Sequence, residues 1–568
     1  MNFHNRTRAA LAAVRSHAAV AAPFAPWVAI PVFMLLAWAF RAPDITLLGD
    51  DAVYLLLSDS IRDFSYRETY TPGHPVHAHY PPLYPALLAL GSFLLGNRPD
   101  HLALVGIAAA AGGLLVFWVG VRAFFGAVMA AAALVLAALN PALIETAGLL
   151  MSEAPFFALT ALAIWAASRP TARWTGVAVA AAVGAGLTRA VGIAVILAVL
   201  ITWLLARRWR ASAVLALCTA LTVGAWLAWT FTAPGRPPDW SYSGTAAGLF
   251  SESADSPYLQ DGRTESPPSS AAREQEAQPR STIPVALAKR VVNNARVYLT
   301  RDLGWLLPAA TSDATDVDDW LWAALIVLLG GAGFVQLWRR WRAAALLLTS
   351  YGGILLVWPL AFGRFLLPVL PFILLVLLLG ARAIGARMRA APHLLPVVLV
   401  AAIAGRAAAQ DVGRARAIAR CDRARATGSP ECFTRDQVAL FNAARFARAT
   451  TDERERFVLG SKWPTFAYYA RREVIPLSLV AGDDASQTLA NLDQAGVRYV
   501  VVTHLLKGDP VFARHLTDVC DRLELVSSFD RSTFMLRVKD DVSVDRSACD
   551  ALQRYEFRPS DIERFGLW

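Results

Sequence analysis

The 568-residue chain is 56% hydrophobic and only 17% charged, a balance too apolar for a soluble protein of this length. Its apolar residues come in runs of about 17–25, the length at which a helix crosses a bilayer, so we predict a multi-span membrane protein. Many of the arginines behind the formal net charge of +10 sit in short clusters between those runs. That placement is typical of a membrane topology signal and argues against a nucleic-acid partner.

The N-terminal segment 1–26 contains arginine but no acidic residue, which predicts a cytoplasmic N-terminus. The first apolar run, 27–40, lacks a small-residue cleavage site. We therefore predict a retained membrane helix and not a cleaved signal peptide.

A polar outer loop, 41–97, follows and opens on the adjacent carboxylates Asp50 and Asp51. It closes on the proline-rich sequence HYPPLYP and a short apolar stretch, 82–96. That stretch has about 15 residues, too few for a span, and it suits a helix lying along the membrane surface.

The arginine clusters then fix the topology of the bundle. We predict about 11 spans, with the N-terminus inside, the C-terminus outside, and Asp50, Asp51 and Glu153 on one outer face of the cytoplasmic membrane. The spans after the first lie at about 98–121, 127–150, 153–167, 174–188, 190–206, 211–233, 319–338, 343–360, 361–381 and 392–408. The inner loops then contain the clusters at 169–173, 207–210, 339–342 and 382–390.

Two further regions are predicted outside the membrane. The outer loop 234–318 has a middle part, 251–281, rich in Ser, Pro, Glu and Gln, which cannot fold by itself. The last region, 409–568, alternates strand and helix patterns and predicts a small α/β domain with a lid or docking role. Strands are expected at 454–461, 498–503 and within 523–538, and helices at 463–471, 485–495 and 511–521.

Four of the five cysteines fall in this C-terminal domain, and the fifth, Cys218, lies in a predicted span. An even number in an oxidising compartment predicts two disulfides. Of the three possible pairings we prefer Cys421–Cys432 with Cys520–Cys549, because each closes a local segment. Free thiols would require the opposite topology.

Carboxylates close to the membrane are costly and usually functional. Asp50 and Asp51 repel each other, which tends to raise the pKa of one of them and would suit a general base. Glu153 begins a predicted helix after Ser152, so it is a candidate for the site and equally for ordinary compensation of the helix dipole.

Two arginines stand at outer helix ends, where the positive-inside rule disfavours them. Arg189 and Arg364 are therefore candidates for binding a phosphate, since guanidinium grips phosphate bidentately. The alternative is that they reach lipid headgroups.

The histidines His74, His77 and His79 lack helical spacing and a cysteine partner, so no metal is predicted and a divalent metal remains the alternative. The C-terminal domain has no Gly-rich phosphate loop, so no nucleotide site is predicted either.

In their order along the chain, several motifs resemble the polyprenyl-phosphate-dependent membrane glycosyltransferases of the GT-C fold. Among the members of this group, the chain resembles the protein O-mannosyltransferases and the lipid A aminoarabinose transferases. The resemblance covers about residues 27–408 and is carried by GDDAVY (49–54), HYPPLYPALLALGSFLLG (79–96), NPALIETAGLLMSEAPFF (140–157), GLTRAVG (186–192) and RFLLPVLPF (364–372).

In that family an Asp-Glu pair follows the first helix, and its first acid is the catalytic base. The resemblance implies that Asp50 is this base, although the second acid is Asp51 and not Glu. The aminoarabinose transferases have a lysine before their Pro-Pro where this chain has Tyr80, and the mannosyltransferases have a histidine there, whereas His79 lies one place earlier. We predict that Tyr54, His79 and Tyr80 contact the substrate.

The resemblance implies sugar transfer, with inversion, from a polyprenyl-phosphate donor to a glycan, lipid or protein acceptor. Membrane lipids would surround the bundle, and no cofactor is expected. A transporter or flippase of lipid-linked sugars is an alternative, but it would need no acidic base and should show two repeats of paired, broken helices. A non-catalytic membrane assembly protein is a second alternative, in which Asp50 would have no chemical role.

Overall fold

A computed structural model of the protein describes residues 20–46, 50–232, 283–307, 316–359, 361–387, 394–418, 421, 432–460, 462–503, 509–541 and 545–555. The first part of the chain is a helical bundle, and the last part contains a mixed sheet with helices around it. The middle of the long outer loop, 251–281, lies outside the described residues.

The bundle contains 17 α-helices within the described residues, and five short turns of other helix types connect or extend them. The helices are α1 Ala25–Phe40, α2 Asp50–Arg62, α3 Leu83–Leu95, α4 Pro99–Phe125, α5 Ala127–Ala138, α6 Pro141–Ala147, α7 Glu153–Ala167, α8 Ala172–Thr188, α9 Ile193–Leu205, α10 Trp209–Thr219, α11 Ala225–Thr232, α12 Ile283–Arg296, α13 Leu303–Leu306, α14 Asp316–Arg340, α15 Arg342–Val357, α16 Leu370–Arg387 and α17 Leu394–Ile418. The turns are 3₁₀ at Ala22–Phe24, Ala190–Gly192 and Gly363–Val369, and π at Ala220–Gly224 and Val297–Asp302.

Among the described residues, each segment predicted to span the membrane lies mostly on helix, although residues 148–150, 358–359 and 361–362 do not. Among the described residues, six helices are long and apolar enough to cross a bilayer, or seven if one bent pair counts as a single span. Others, such as α7 and α15, are apolar but shorter. The chain is thus a multi-helix membrane protein, and the count of about 11 spans stays a prediction.

The predicted span 127–150 is not one continuous helix, and in that respect the prediction was wrong. Helices α5 and α6 meet at a bend of 64°. Pro141 cannot donate a backbone hydrogen bond, and the Asn140 side chain starts a new helix by accepting from the Leu143 amide at 3.1 Å. The side-chain amide of Asn140 also donates a hydrogen bond to the Leu306 carbonyl at 2.7 Å. This contact holds the break in place.

Helix α17 continues past the predicted end of the bundle at 408 to Ile418. Its last turns remain against the bundle because Arg414 contacts Glu145 at 2.6 Å and donates to the Pro141 carbonyl at 3.0 Å.

Small residues allow the closest helix packing in the bundle. A Cβ atom at Gly333 on α14 would lie 1.8 Å from the Val376 carbonyl oxygen, and one at Gly380 on α16 would lie 1.9 Å from the Leu329 oxygen. The two helices therefore meet backbone to backbone, an arrangement typical of membrane helices. Either Gly→Ala substitution would push them apart.

The C-terminal part contains a five-stranded sheet in the order β2-β1-β3-β5-β4. Strands β2, β1 and β3 are parallel, and β5 and β4 are antiparallel additions at one edge. The elements are α18 Arg435–Thr450, β1 Arg456–Leu459, α19 Trp463–Ala470, β2 Glu473–Pro476, α20 Ala485–Gln494, β3 Val497–Val502, α21 Asp509–Asp518, β4 Leu523–Ser528, β5 Phe534–Val538 and α22 Ser547–Gln553. Helices α18 and α22 and strand β2 were not predicted.

Both predicted disulfides are confirmed. Cys421 pairs with Cys432 and Cys520 with Cys549, and Cys218 is the free cysteine.

The sheet region is docked on the segment 41–97. The Val474 amide, in β2, donates to the Tyr70 carbonyl at 2.8 Å, and the rings of Tyr70 and Trp463 lie 5.2 Å apart. Thr465 in α19 donates to the Thr46 carbonyl at 3.4 Å. These contacts place α19 against α2, the helix that begins with the two aspartates.

Candidate active site

The adjacent aspartates form the first turn of α2, a site where a negative charge is stabilised by the helix dipole. Successive residues of a helix point in different directions, about 100° apart. The carboxylates of Asp50 and Asp51 consequently have different neighbours, and their pKa values differ for that reason.

Asp50 faces residues from distant parts of the chain. Its Oδ1 accepts a hydrogen bond from the Tyr80 hydroxyl at 2.7 Å, and its Oδ2 accepts one from Arg364 Nη1 at 2.9 Å. Burial raises the pKa of Asp50, but the charge of Arg364, the Tyr80 hydrogen bond and the charge of Arg189 outweigh it, so the pKa lies below its usual value. Asp50 is therefore ionised at neutral pH.

Asp51 points into the protein and is only 2% exposed. Its Oδ2 accepts hydrogen bonds from the Thr46 backbone amide and, at 2.7 Å, from the Thr46 hydroxyl, and its Oδ1 accepts from the Ala52 amide at 2.9 Å. Burial is the main cause that raises the pKa of Asp51 to about 6. The predicted elevated pKa thus belongs to Asp51, whose oxygens are already engaged in fixing the segment before α2.

A second ion pair lies beside the first. Glu153, at the start of α7, is 2% exposed and lies 2.8 Å from Arg189 Nη1. The same nitrogen donates to the Ser152 hydroxyl at 2.8 Å, and that hydroxyl is 3.0 Å from the Tyr54 hydroxyl. Glu153 therefore occupies a first helical turn and also pairs with an arginine, while its role in the site stays a prediction.

The two pairs form one electrostatic cluster. Arg189 acts on the pKa of Asp50, which is paired with Arg364. Asp50, Arg364, Glu153 and Arg189 together carry no net charge, and the Asp50 and Arg364 side chains are 20% and 34% exposed. An entering anion can therefore reach Arg364, and it would meet a carboxylate already bound there.

Aromatic rings form one wall of the cluster. The Tyr54 ring lies 4.8 Å from the rings of both Tyr80 and Tyr84, and the His79 ring lies 4.6 Å from Tyr80, edge to face. The structure thus brings together the residues predicted to contact substrate, Tyr54, His79 and Tyr80, next to Asp50.

The other two histidines lie apart from one another. His77 Nδ1 is 2.9 Å from Glu68, and its Nε2 accepts the Tyr80 backbone amide at 2.8 Å, so His77 helps to orient Tyr80. His74 lies 3.2 Å from Glu473 in β2. Within the residues that the structure describes, no group of three or more His, Cys, Asp or Glu side chains is arranged to hold a metal ion.

Sequence reasoning missed three residues of this neighbourhood. Thr46 holds Asp51, Ser152 links Tyr54 to Arg189, and Lys462, just before α19, feels the charges of both aspartates. Thr46 and Ser152 carry no distinctive sequence signal. Lys462 did carry a distinctive sequence signal, because lysine is rare in this arginine-rich chain and occurs only at positions 289, 462, 507 and 539.

No protein-family model matches the chain, and no curated protein matches it in sequence. Solved structures do match it. ArnT from Cupriavidus metallidurans in the apo state superposes with a TM-score of 0.51 at 15% identity, covering 89% of this chain and 96% of ArnT. The same protein bound to undecaprenyl phosphate superposes with a TM-score of 0.51 at 14% identity, covering 91% of this chain and 98% of ArnT.

An Archaeoglobus fulgidus oligosaccharyltransferase, tethered with an acceptor peptide, matches with a TM-score of 0.50 at 14% identity, covering 84% of this chain and 69% of that one. ArnT, the lipid A aminoarabinose transferase, and the oligosaccharyltransferase share one architecture. The chain has the GT-C fold. The resemblance drawn from the motifs is thus confirmed for the fold, and with ArnT it extends over nearly the whole of both chains. In this GT-C bundle the candidate site lies where α2, the 3₁₀ turn Gly363–Val369 and α19 meet.

Proposed function

We propose that this GT-C protein is a glycosyltransferase that moves a sugar from a polyprenyl-phosphate-linked donor to an acceptor on the outer face of the cytoplasmic membrane. The contact between Asp50 and Arg364 is the observation that carries the proposal, because it joins a carboxylate base to a phosphate-binding group at 2.9 Å. Two neighbours of the same fold support it, since one is bound to undecaprenyl phosphate and the other is tethered with an acceptor peptide.

The reaction follows from the chemistry of these two groups. Asp50 takes the proton of the acceptor hydroxyl as its oxygen attacks the anomeric carbon. The new carbon–oxygen bond forms on one face of the sugar while the bond to the phosphate oxygen breaks on the other, so the configuration inverts. Polyprenyl phosphate leaves with the electron pair of that bond, and Arg364 stabilises its growing negative charge.

The ion pair also explains how the base becomes active only with substrate. With Arg364 bound to it, Asp50 is ionised but weakly basic, because the arginine lowers its pKa. A donor phosphate competes for the same guanidinium, which draws Arg364 away and frees Oδ2 of Asp50. The basicity of Asp50 then rises at the moment when a donor is present.

The remaining residues have supporting roles in this proposal. Arg189, held by Glu153, supplies a second phosphate contact. Tyr54, Tyr80 and His79 line the space for the sugar and acceptor, and apolar helix surfaces hold the polyprenyl chain. The proposed reaction needs no nucleotide and no cofactor, and a divalent metal is the alternative.

We further propose about 11 spans with a cytoplasmic N-terminus and an extracytoplasmic C-terminal domain, which places the reaction in cell-envelope glycan synthesis. The transferred sugar is a hexose or a pentose, and the acceptor is a glycan, a lipid or a protein.

The test is a reaction of the purified protein with radiolabelled polyprenyl-phosphate sugars and a panel of cell-envelope acceptors. We expect label to move to an acceptor, with one polyprenyl phosphate released for each sugar transferred. Donor that stays intact with every acceptor, but crosses the membrane of proteoliposomes, would contradict the proposal and favour a flippase.

A further inference from the structure

Lys462 stands at an unusual place in the C-terminal domain. It precedes α19 with φ 57° and ψ 27°, the left-handed conformation, which residues other than glycine seldom adopt. Such a conformation costs free energy and persists only where neighbouring contacts enforce it. Here the start of α19 is held by the Trp463 ring against Tyr70 and by Thr465 against the Thr46 carbonyl.

Those contacts bring the start of α19, which Lys462 precedes, close to the segment that holds the aspartates. Thr46, which Thr465 contacts, is also the residue whose amide and hydroxyl hold Asp51. Burial lowers the pKa of Lys462, while the charges of Asp50 and Asp51 oppose that effect and the charge of Arg364 adds to it. The packing of α19 on Thr46, the residue that holds Asp51, thus puts Lys462 where the charges of both aspartates act on it.

The charge of Lys462 is not committed elsewhere. In the parts of the chain that the structure describes, its amine forms no ion pair and no hydrogen bond, in contrast to Arg364 and Arg189. Both arginines are bound to carboxylates and both are proposed to turn to the donor phosphate. When they do, Asp50 loses its nearest cation. Asp50, Arg364 and Lys462 interact electrostatically with one another. The other charged or titratable groups that act on them are Asp51, Glu153, Arg189 and Tyr80.

We propose that Lys462 is a positioning residue that becomes the counter-charge of Asp50 when Arg364 turns to the donor phosphate. The C-terminal domain is then part of the reaction centre, because it supplies a cation that the membrane bundle does not. The lysine keeps Asp50 ionised after Arg364 has left it and until it accepts the proton of the acceptor hydroxyl. This kinetic role rests on the proposed function, whereas the coupling between Lys462 and Asp50 exists without it.

The coupling is tested first, without any sugar transfer. Trace acetylation of the full-length protein across a pH series, read by mass spectrometry, gives the titration midpoint of each lysine amine. Because Asp50 favours the charged form of Lys462, Asp50→Asn should move the Lys462 midpoint to lower pH. Lys289, exposed on α12, should not move.

Asp59→Asn is the matched control. Asp59 is another acid of α2, and it lies 3.4 Å from Arg471, which follows α19. Unlike Asp50, it lies near the C-terminal end of α2. It should leave the Lys462 midpoint unchanged. If Asp50→Asn leaves the midpoint where it is, or if Asp59→Asn moves it equally, the coupling is refuted.

The kinetic role is tested with Lys462→Gln and Lys462→Arg. The pH dependence of kcat reports the base in the substrate-bound state. Losing a neighbouring positive charge raises the pKa of a carboxylate, so the acidic limb of kcat should move up by about one pH unit in Lys462→Gln. Lys462→Arg should keep it near the unmodified position, and donor affinity should stay within about twofold in both variants.

The outcomes separate the two proposals. An unmoved acidic limb with weakened donor binding in Lys462→Gln would make the lysine a phosphate ligand and overturn the counter-charge role. A protein that transfers no sugar, but whose Lys462 midpoint shifts with Asp50→Asn, would refute the proposed function and leave the coupling standing.

Discussion

Arg364→Ala is the substitution that separates donor binding from the rest of the site. The side chain reaches Asp50 from the first turn of the segment Gly363–Val369 and is 34% exposed, so it can exchange a carboxylate for a phosphate. A hydrogen bond to a charged group contributes about 1.5–3 kcal/mol. At about 1.4 kcal/mol for each tenfold change, donor affinity should fall by roughly 10- to 150-fold.

The assay is equilibrium binding of a labelled polyprenyl-phosphate sugar to purified protein in detergent, with acceptor binding measured separately. Arg364→Lys should recover only part of the affinity, because an ammonium group cannot make the bidentate contact. Arg62→Ala is the matched control, since Arg62 is an arginine of α2 that pairs with Asp59 at 3.3 Å, away from Asp50. It should bind donor normally.

Unchanged donor affinity in Arg364→Ala would show that Arg364 does not bind the donor phosphate. Arg364 would then be only the partner of Asp50 or a headgroup contact, and the phosphate would have to bind elsewhere. An equal loss of donor and acceptor affinity would point instead to a disordered site.

Three further predictions concern charge and topology. The pKa of Asp51 is raised from 3.8 to about 6, so folding favours the neutral form of its carboxyl group. The thermal midpoint of the unmodified protein, measured relative to that of Asp51→Asn, should therefore be highest below about pH 4. It should fall as the pH rises through 6 and then level off. Glu153→Gln leaves Arg189 without its carboxylate and should cost about 3–5 kcal/mol of stability; an unchanged melting midpoint would refute a structural role for the pair. In intact cells lacking the free cysteine, an impermeant thiol reagent should label a cysteine placed at Asp483 but not one at Arg208, and the opposite result would invert the topology.

Much of the bundle could be predicted because membrane helices are encoded locally. Apolar runs of the right length and the arginine clusters between them located the long apolar helices without reference to the rest of the chain. Helix α2 was not among them, because it lies inside the predicted polar loop 41–97 and has no apolar run of that length. The break between α5 and α6 was missed, although Asn140 and Pro141 are visible in the sequence. Proline in a membrane helix is compatible with a kink or a full break, and the contact of Asn140 with Leu306, which fixes the break, is 166 residues away.

The C-terminal sheet shows the same limit. Strand β2 has four residues, Glu473–Pro476, and ends in a proline that cannot donate to a ladder. Its parallel pairing with β1, and not its own sequence, makes it a strand. The cysteine pairs were predicted correctly because each closes a short segment.

For the candidate site, the sequence predicted residues that the structure brings together but not the difference between their chemical environments. Sequence reasoning selected Asp50, Arg364, Glu153 and Arg189, and the structure places them together. It could not separate the two aspartates, because that difference comes from partners such as Arg364, which lies 314 residues from Asp50. Lys462 was missed for the same reason, since its proximity depends on how α19 packs on α2.

The most direct test of the account is the rate of sugar transfer by Asp50→Asn under saturating donor and acceptor. Asparagine keeps the size and polarity of the side chain but cannot take the acceptor proton, so turnover should fall by about 10²- to 10⁴-fold. Donor affinity should stay within a few-fold of normal. Asp51→Asn should lower turnover less than Asp50→Asn does, because Asp51 acts through its contacts with Thr46. Transfer at the unmodified rate by Asp50→Asn would contradict the account and move the search for the base to Glu153.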